Sequence, residues 1–335
     1  MNEKSVLSLG ELLRCAPEPE PALIGPGLLP AAGILFVGGE PKVGKSLLVA
    51  NLALALAAGS SRAGFEVAGP RRVLICQFEL PTGQFAQRLA AMREALGAGA
   101  DDNLFVDTRA AGQLLSTTAG LHHFLSAARS VAAQVIVIDP LYSAHDQDEN
   151  DTRAMAALCQ TLLRLREASG AALVVVHHVR KSVARYEVGS AFRGSSALNA
   201  VGDSYLLLTR PSPELPTVEL RFQFRYAAPL EPRLLTLDPA TLWFTATGSR
   251  QSSSPSRRKV ERADVQAALV SLGSQAAYGQ LRDAVMAACE CSKRTAQLAL
   301  ADAWQAGRVV RDNGLYRLPS QFAAGSRRLQ NQPAG

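Results

Sequence analysis

Cysteine is scarce in this sequence, and most of the cysteines lie far apart. The five, at positions 15, 76, 159, 289 and 291, are odd in number and scattered, which argues against a disulfide framework. Only Cys289 and Cys291 stand close together. With one residue between them, no second pair and no histidine nearby, they do not indicate a zinc site, and we expect both to be packing residues.

Long apolar runs are lacking as well. The apolar stretch 47–58 is shorter than the ~18 residues of a membrane-spanning helix, and it contains Asn51. The first residues, among them Lys4, Glu11 and Arg14, lack the apolar segment of a secretory signal. These absences predict a cytoplasmic protein, and 335 residues allow two domains.

The net charge of +6 is distributed unevenly along the chain. From residue 249 to the end, 13 Lys and Arg stand against 6 Asp and Glu, a surplus of 7. The preceding residues are therefore close to neutral, with 22 basic side chains against 23 acidic ones. A basic C-terminal quarter favours a nucleic-acid partner.

Residues 31–248 alternate short apolar runs with helical stretches, which is typical of parallel βαβ units with helices on both faces of a sheet. Before them, residues 1–30 form an N-terminal arm, amphipathic at 7–13 and proline-rich at 16–21. We predict strands at 34–37, 73–78, 135–138 and 173–176, helices at 47–58, 84–96 and 152–168, edge strands at 205–208 and 218–224, and a hairpin of 234–237 with 242–245.

A polar, serine-rich stretch at 249–259 has nothing to bury and is expected to be a flexible linker. Three helices are predicted after it, at 263–272, 278–286 and 293–305. A hairpin centred on the turn 312–314 follows. Residues 260–319 are therefore predicted to form a winged helix-turn-helix, and residues 320–335 a disordered tail.

The third of these helices has recognisable ends. Ser292 is its candidate N-cap and Gly307 its stop signal. Leu298 and Trp304 are expected on its apolar side.

The segment from Gly39 to Leu47 has the composition of a phosphate-binding loop. It follows an apolar strand and opens an apolar helix, so backbone N–H groups and the positive end of the helix dipole meet at one point. Lys45 is expected to reach the terminal phosphates of a nucleotide, and Ser46 to bind Mg²⁺. The residues predicted to bind nucleotide are Gly39, Glu40, Pro41, Lys42, Val43, Gly44, Lys45, Ser46 and Leu47.

Two acidic residues stand at the ends of apolar strands. Asp139 follows Val135–Ile138 and is predicted to complete the metal site with Ser46. Glu79 ends the second strand, which puts it on the same carboxyl edge of a parallel sheet, where it can orient a water molecule for hydrolysis.

These residues resemble the RecA-like ATPases, in which a phosphate loop on the first strand and a glutamate ending the second occur without an acid directly after the metal-binding aspartate. The segments 139–141, 145–151, 174–178 and 193–198 are most similar to the RepA-type hexameric replicative helicases, and the resemblance spans residues 20–225. It implies a RecA-like parallel-sheet core and makes Glu79 the catalytic base.

The same resemblance gives roles to three further residues. His178 or His177 corresponds to a sensor of the γ-phosphate, and Arg193 to an arginine finger offered to the ATP of the neighbouring subunit. A planar guanidinium suits the charge that builds on the transferred phosphoryl group. Two alternatives stay open: the histidines satisfy backbone groups, or Arg193, with Arg180 and Lys181, belongs to a solvated or DNA-facing loop.

Two basic regions are candidates for contact with DNA. Residues 182–190 follow Lys181 without a core pattern and form either a loop facing single-stranded DNA in a ring channel or an ordinary mobile loop. In the C-terminal region, the predicted DNA-binding residues are Lys293, Arg294, Thr295, Gln297, Arg308, Arg311 and Arg317. The alternative is that this module docks a protein.

The sequence therefore predicts an ATPase that requires ATP and Mg²⁺ and acts on DNA, as a homo-oligomer and most concretely as a hexameric helicase. Single-stranded DNA would occupy the ring channel and duplex DNA the winged helix. Two alternatives remain: an ATP-gated regulator or helicase loader without unwinding activity, and a small-molecule kinase, for which no acceptor site is evident.

Overall fold

A computed structural model gives the fold. The structure describes residues 6–18, 20–97, 99–179, 188–192, 195–211, 216–249, 260–289, 291–312 and 314–319. The chain divides into two compact units, Met1–Gln251 and Ser252–Gly335, which are described in turn. Within the described ranges, none of the helices is both long and apolar enough to cross a membrane.

One mixed sheet organises the first unit, in the order β3-β2-β4-β5-β1-β6-β7-β8-β9. The strands β1 to β6 pair in parallel, and β7, β8 and β9 extend the sheet in antiparallel fashion. The strands are β1 Ile34–Gly39, β2 Val73–Gln77, β3 Leu104–Asp107, β4 Val135–Asp139, β5 Ala172–His178, β6 Ser204–Thr209, β7 Thr217–Phe224, β8 Arg233–Leu237 and β9 Phe244–Ser249.

Helices cover both faces of the sheet, as the alternation of strands and helices predicts. They are α1 Leu9–Cys15, α2 Lys45–Ala58, α3 Thr82–Leu96, α4 Thr118–Ser130, α5 Thr152–Ser169 and α6 Ser195–Val201. One apolar cluster joins the sheet to α2 and α3, and a second joins it to α4, α5 and α6. The predicted α/β fold is confirmed, whereas β3 and α4 are absent from the sequence prediction.

Asn51 is a polar residue in the middle of the apolar helix α2, and its hydrogen bonds explain why it is there. Its side chain is almost fully buried. The amide donates to the Leu242 carbonyl at 3.1 Å and accepts from the Phe244 N–H at 2.9 Å. Because these bonds satisfy two backbone groups at the start of β9, Asn51 ties the helix after the phosphate loop to the last strand of the sheet.

The described residues of the second unit, from 260 to 319 with gaps at 290 and 313, form three helices and a small antiparallel sheet in the order β10-β12-β11. Its elements are α7 Arg262–Ser271, β10 Gln275–Ala277, α8 Tyr278–Ala288, α9 Lys293–Gln305, β11 Val310–Asp312 and β12 Leu315–Arg317. Val265, Leu269, Leu281 and Leu300 are at the centre of its own apolar core.

The ends of α9 agree with the sequence, but its buried face does not. The Ser292 side chain accepts a hydrogen bond from the Thr295 N–H, and Gly307 has a φ of +66° just after the helix. The prediction that Leu298 and Trp304 face the core is wrong, since they are 64% and 50% exposed. The core side of α9 consists instead of Ala296, Leu300 and Ala303, at helical spacing and small enough for close packing.

Candidate nucleotide site

The turn between β1 and α2 depends on glycine at two positions, for different reasons. Gly44 caps α2 with a φ of +105°, and a Cβ there would lie 3.0 Å from the Phe244 ring. At Gly39 a Cβ would lie 2.7 Å from the Leu208 carbonyl of β6. Gly39 therefore permits close approach of a strand, while the left-handed bend lies at Gly44 and, with a φ of +61°, at Lys42.

Lys45 is the first residue of α2 and lies inside this turn. Only 7% of it is exposed. Its Nζ donates to the carbonyls of Gly39 and Glu40, at 3.0 and 2.9 Å. Burial lowers the pKa of Lys45, and the nearby carboxylates of Asp139 and Glu79 oppose that change. The ammonium is thus held at the mouth of the loop, where an anion would compensate its desolvation.

Ser46 and Asp139 form a pair of oxygen donors next to Lys45. The Ser46 hydroxyl donates to Asp139 Oδ1 at 2.9 Å, and Asp139 is 3% exposed. Burial raises the pKa of Asp139 to about 6, and Glu79 adds to the rise, while the Ser46 hydrogen bond and the charges of Lys45 and Arg88 lower it. A buried carboxylate beside a hydroxyl fits a Mg²⁺ site, since Mg²⁺ binds oxygen ligands.

Glu79 projects from the turn that follows β2, beside the end of β4. Gln77 holds this turn, because its Oε1 accepts from the N–H groups of Glu79 at 2.6 Å and Leu80 at 2.9 Å. The pairing of Gln77 with Asp139 brings the two strand ends together. The exposed Glu79 carboxylate accepts from the Ser143 hydroxyl at 3.3 Å. A carboxylate in this place can orient a water molecule toward a phosphate held by the loop.

His177 and His178 end β5, in register with Gly38 and Gly39 of β1. His177 is fully buried, and its Nε2 lies 3.8 Å from Glu149 Oε1. His178 is more exposed, and its ring meets that of Tyr142 edge to face at 5.9 Å between centroids. Both histidines thus lie on the carboxyl edge of the sheet, beside the phosphate loop.

Comparison with known families decides the class of protein. Residues 4–184, just over half of the 335 residues, match the AAA_25 family of AAA domains. The chain belongs to the AAA_25 family. It is a RecA-like P-loop ATPase, as the sequence predicts. No curated protein sequence matches the chain.

Solved structures share the fold of this AAA_25 protein at low sequence identity. One of them, the structure of an ATPase domain, is 14% identical with a TM-score of 0.50, over 65% of this chain and 86% of that one. A DnaB-like replicative helicase is also 14% identical with a TM-score of 0.50, over 64% of this chain and 57% of that one. The AAA_25 chain therefore spans little more than half of that helicase.

Several predicted site residues lie elsewhere. Arg193, Arg180, Lys181 and residues 182–187 are outside the described part of the chain. The predicted DNA-binding residues belong to the second unit, where Lys293, Arg294, Gln297, Arg308 and Arg311 are exposed, while Thr295 and Arg317 are half-buried. Arg317 donates to Asp312 at 3.1 Å, and the Arg311 guanidinium lies 6.0 Å from the centroid of the Tyr316 ring.

Four residues of the AAA_25 site are missing from the sequence prediction. Gln77 and Ser143 contact the turn and the carboxylate of Glu79. Arg210, at the end of β6, donates to the Lys42 carbonyl at 3.4 Å, and Arg88 on α3 acts electrostatically on Asp139. Only Gln77 has a signal in the sequence, as the polar residue at the end of the otherwise apolar strand 73–77.

Asp139→Asn is expected to stabilise the free ATPase at neutral pH. The folded protein binds the Asp139 proton more tightly than the unfolded chain, with a pKa of about 6 against 3.8. The contribution of Asp139 to the free energy of unfolding is therefore complete below pH 3.8. It is lost as the pH rises through about 6. Asparagine is neutral and still accepts from Ser46, so it should raise the free energy of unfolding at pH 7.5 by about 3 kcal/mol.

Chemical denaturation at pH 7.5 and pH 4, with chelator and without nucleotide, measures this difference. The difference should fall below about 1 kcal/mol at pH 4. If the two proteins are equally stable at pH 7.5, burial does not disfavour the Asp139 carboxylate as the structure indicates.

Proposed function

We propose that this ATPase is an ATP- and Mg²⁺-dependent motor that acts on DNA in the cytoplasm. One observation carries the proposal: Lys45, the Ser46–Asp139 pair, Glu79 and His178 meet on one edge of the sheet. A binding protein needs the loop and the metal ligands, but the exposed carboxylate of Glu79 beside them supplies the group that hydrolysis requires.

Each residue has a separate task in this proposal. The N–H groups from Gly39 to Leu47 bind the phosphates, and Lys45 exchanges its two carbonyl partners for phosphate oxygens. Ser46 and Asp139 hold Mg²⁺, which neutralises charge on the β- and γ-phosphates when bound. Glu79 accepts a proton from the attacking water, and His178 donates a hydrogen bond to the γ-phosphate.

The site is completed by a neighbouring subunit in a RepA-like homo-hexamer, in which Arg193 of each chain serves the ATP of the next. The similarity of residues 193–198 to the RepA-type helicases supports this assignment. Phosphoryl transfer concentrates negative charge that a second chain can stabilise. Single-stranded DNA would then pass through the ring channel.

The second unit is proposed to be a winged helix-turn-helix at 260–319 that binds duplex DNA. The other domain boundaries in this proposal are an arm at 1–30, the ATPase domain at 31–248, a linker at 249–259 and a tail at 320–335. Lys293 and Arg294 are exposed in the first turn of α9, where a recognition helix meets phosphates and bases. The antiparallel pair of β11 and β12 that follows α9 supplies the wing with Arg311 and Arg317.

A second candidate is an ATP-gated regulator or helicase loader that does not unwind DNA. The exposure of Leu298 and Trp304 on α9 favours it. Both side chains offer apolar surface to a partner, and tryptophan is enriched at interfaces between proteins. In this case ATP binding would control assembly instead of strand separation.

Unwinding of a forked duplex distinguishes the two candidates. The motor should hydrolyse ATP faster with single-stranded DNA and separate the fork, and Lys45→Ala should do neither. Stimulated hydrolysis without strand separation at any loading condition would favour the regulator. A rate of ATP hydrolysis that is the same with and without DNA would contradict both candidates.

The same preparation tests the second unit. Lys293→Ala with Arg294→Ala should weaken duplex binding by about 10-fold and flatten its salt dependence, because each phosphate contact releases counterions. Arg262→Ala is the control, since that guanidinium is already paired with Asp302. Equal affinity of the double variant and the wild-type protein would contradict the proposed contact of α9 with duplex DNA.

A further inference from the structure

The chain that follows β4 crosses the carboxyl edge of the sheet. A 3-10 helix, Leu141–Ala144, begins directly after Asp139 and Pro140. Leu141 and Ala144 are fully buried, and the Ala144 carbonyl accepts from the Leu115 N–H at 2.8 Å. Residues 140–149, the rim segment, are therefore fixed to the core close to the metal-binding carboxylate.

Three side chains of the rim segment contact three groups of the site on two other strands. The Ser143 hydroxyl donates to Glu79 Oε1 at 3.3 Å, after β2. At the end of β5, the Tyr142 ring contacts His178, and Glu149 Oε1 lies 3.8 Å from His177 Nε2. The same ten residues that follow the metal ligand thus touch the proposed base and both candidate phosphate sensors.

We propose that Ser143 is a positioning residue for ATP hydrolysis, which holds the Glu79 carboxylate toward the attacking water. This proposal rests on the function proposed for Glu79. Within the same segment, the Tyr142 ring contacts the His178 ring, and the Glu149 carboxylate lies beside His177. Because Ser143 follows Asp139 by four residues on a helix anchored in the core, the metal ligand and the group that orients the base keep a constant separation.

Glu79 needs such a partner because its side chain is exposed. A solvated glutamate samples several rotamers, and fixing one of them costs conformational entropy in every turnover. The Ser143 hydroxyl occupies Oε1 and leaves Oε2 to accept from water.

The test compares Ser143→Ala and Ser143→Thr in two backgrounds, wild-type and Glu79→Ala, by steady-state hydrolysis and equilibrium binding of an ATP analogue. With Glu79 present, Ser143→Ala should lower kcat about 10-fold and leave the affinity for the analogue within about twofold. Ser143→Thr keeps the hydroxyl and should restore most of kcat. In the Glu79→Ala background, Ser143→Ala should have no further effect.

Ser130→Ala is the matched control, because that hydroxyl donates to the Ala127 carbonyl within α4, and it should leave kcat unchanged. An equal loss from Ser143→Ala in both backgrounds, or a loss of affinity with normal kcat, would overturn the positioning role. Full turnover by Glu79→Ala alone is a different result, which would remove the proposed base itself.

Discussion

Glu79→Gln is expected to bind ATP as tightly as the wild-type protein and to lower kcat by about 10³-fold, within the range for loss of a general base and of the water that it orients. Glutamine has nearly the same shape, and its amide oxygen can still accept from Ser143. Only the ability to take a proton is lost. The substitution thus separates hydrolysis from binding.

The structure explains why binding should survive. Glu79 contributes no atom to the turn between β1 and α2, and its own turn is held by the side chain of Gln77. The backbone at this point, paired with the end of β4, does not depend on the carboxylate. Nucleotide should therefore still reach Lys45 and the Ser46–Asp139 pair.

Single-turnover hydrolysis and equilibrium binding of ATP measure the two properties separately. Glu94→Gln on α3 is the control, because it is an exposed glutamate one helix away from the site. It should keep wild-type turnover. Normal hydrolysis by Glu79→Gln would contradict the assignment of the base and move the search to the other carboxylates of the carboxyl edge.

Arg193→Ala is expected to lower kcat by about 10³-fold to 10⁵-fold, as loss of an arginine finger does. The reason is the charge that develops on the transferred phosphoryl group, which Lys45 and the metal neutralise only in part. The pure variant should bind ATP nearly normally, since an arginine finger stabilises charge that develops mainly in the transition state.

Mixing the two inactive variants tests whether the site is shared. In an assembly of Glu79→Gln and Arg193→Ala chains, some interfaces join an intact Glu79 on one chain to an intact Arg193 on the next. About a quarter of the interfaces in an equal mixture should be of this kind, so activity should reappear on mixing.

The negative control mixes Glu79→Gln chains with chains that carry both Arg193→Ala and Lys45→Ala. No site in that mixture keeps Lys45 and Glu79 together, so it should stay inactive. Continued inactivity of the first mixture, at concentrations where the chains assemble, would contradict a finger supplied by a second chain.

Much of the ATPase unit could be predicted because its signals are local. Continuous apolar runs identify β1, β2, β4 and β5, which are buried on both faces. The parallel alternation then puts Asp139 and Glu79 on one edge. In the second unit, the signals at the two ends of α9 are equally local. Both Ser292 at its start and Gly307 after its end are found as expected.

The remainder depends on contacts between residues distant in sequence. β3 has four half-buried residues and carries little pattern, so it is recognised only by its pairing with β2. The predicted buried face of α9 is wrong because the large apolar residues Leu298 and Trp304 are exposed. The helix packs instead through two alanines and one leucine, and which face is buried depends on its neighbours.

Asn51 also bears on how the chain acquires this fold. Its two hydrogen-bond partners lie 191 and 193 residues further along the sequence, well beyond the end of the family match at residue 184. Until they arrive, a buried amide in the helix behind the phosphate loop lacks its native partners, which is costly in an apolar core. During synthesis on the ribosome, the nucleotide site should therefore mature late, after nearly all of the first unit has emerged. A fragment cut at residue 184 would keep Lys45, Glu79, Asp139 and both histidines but would lack Arg193 and the strands β6 to β9.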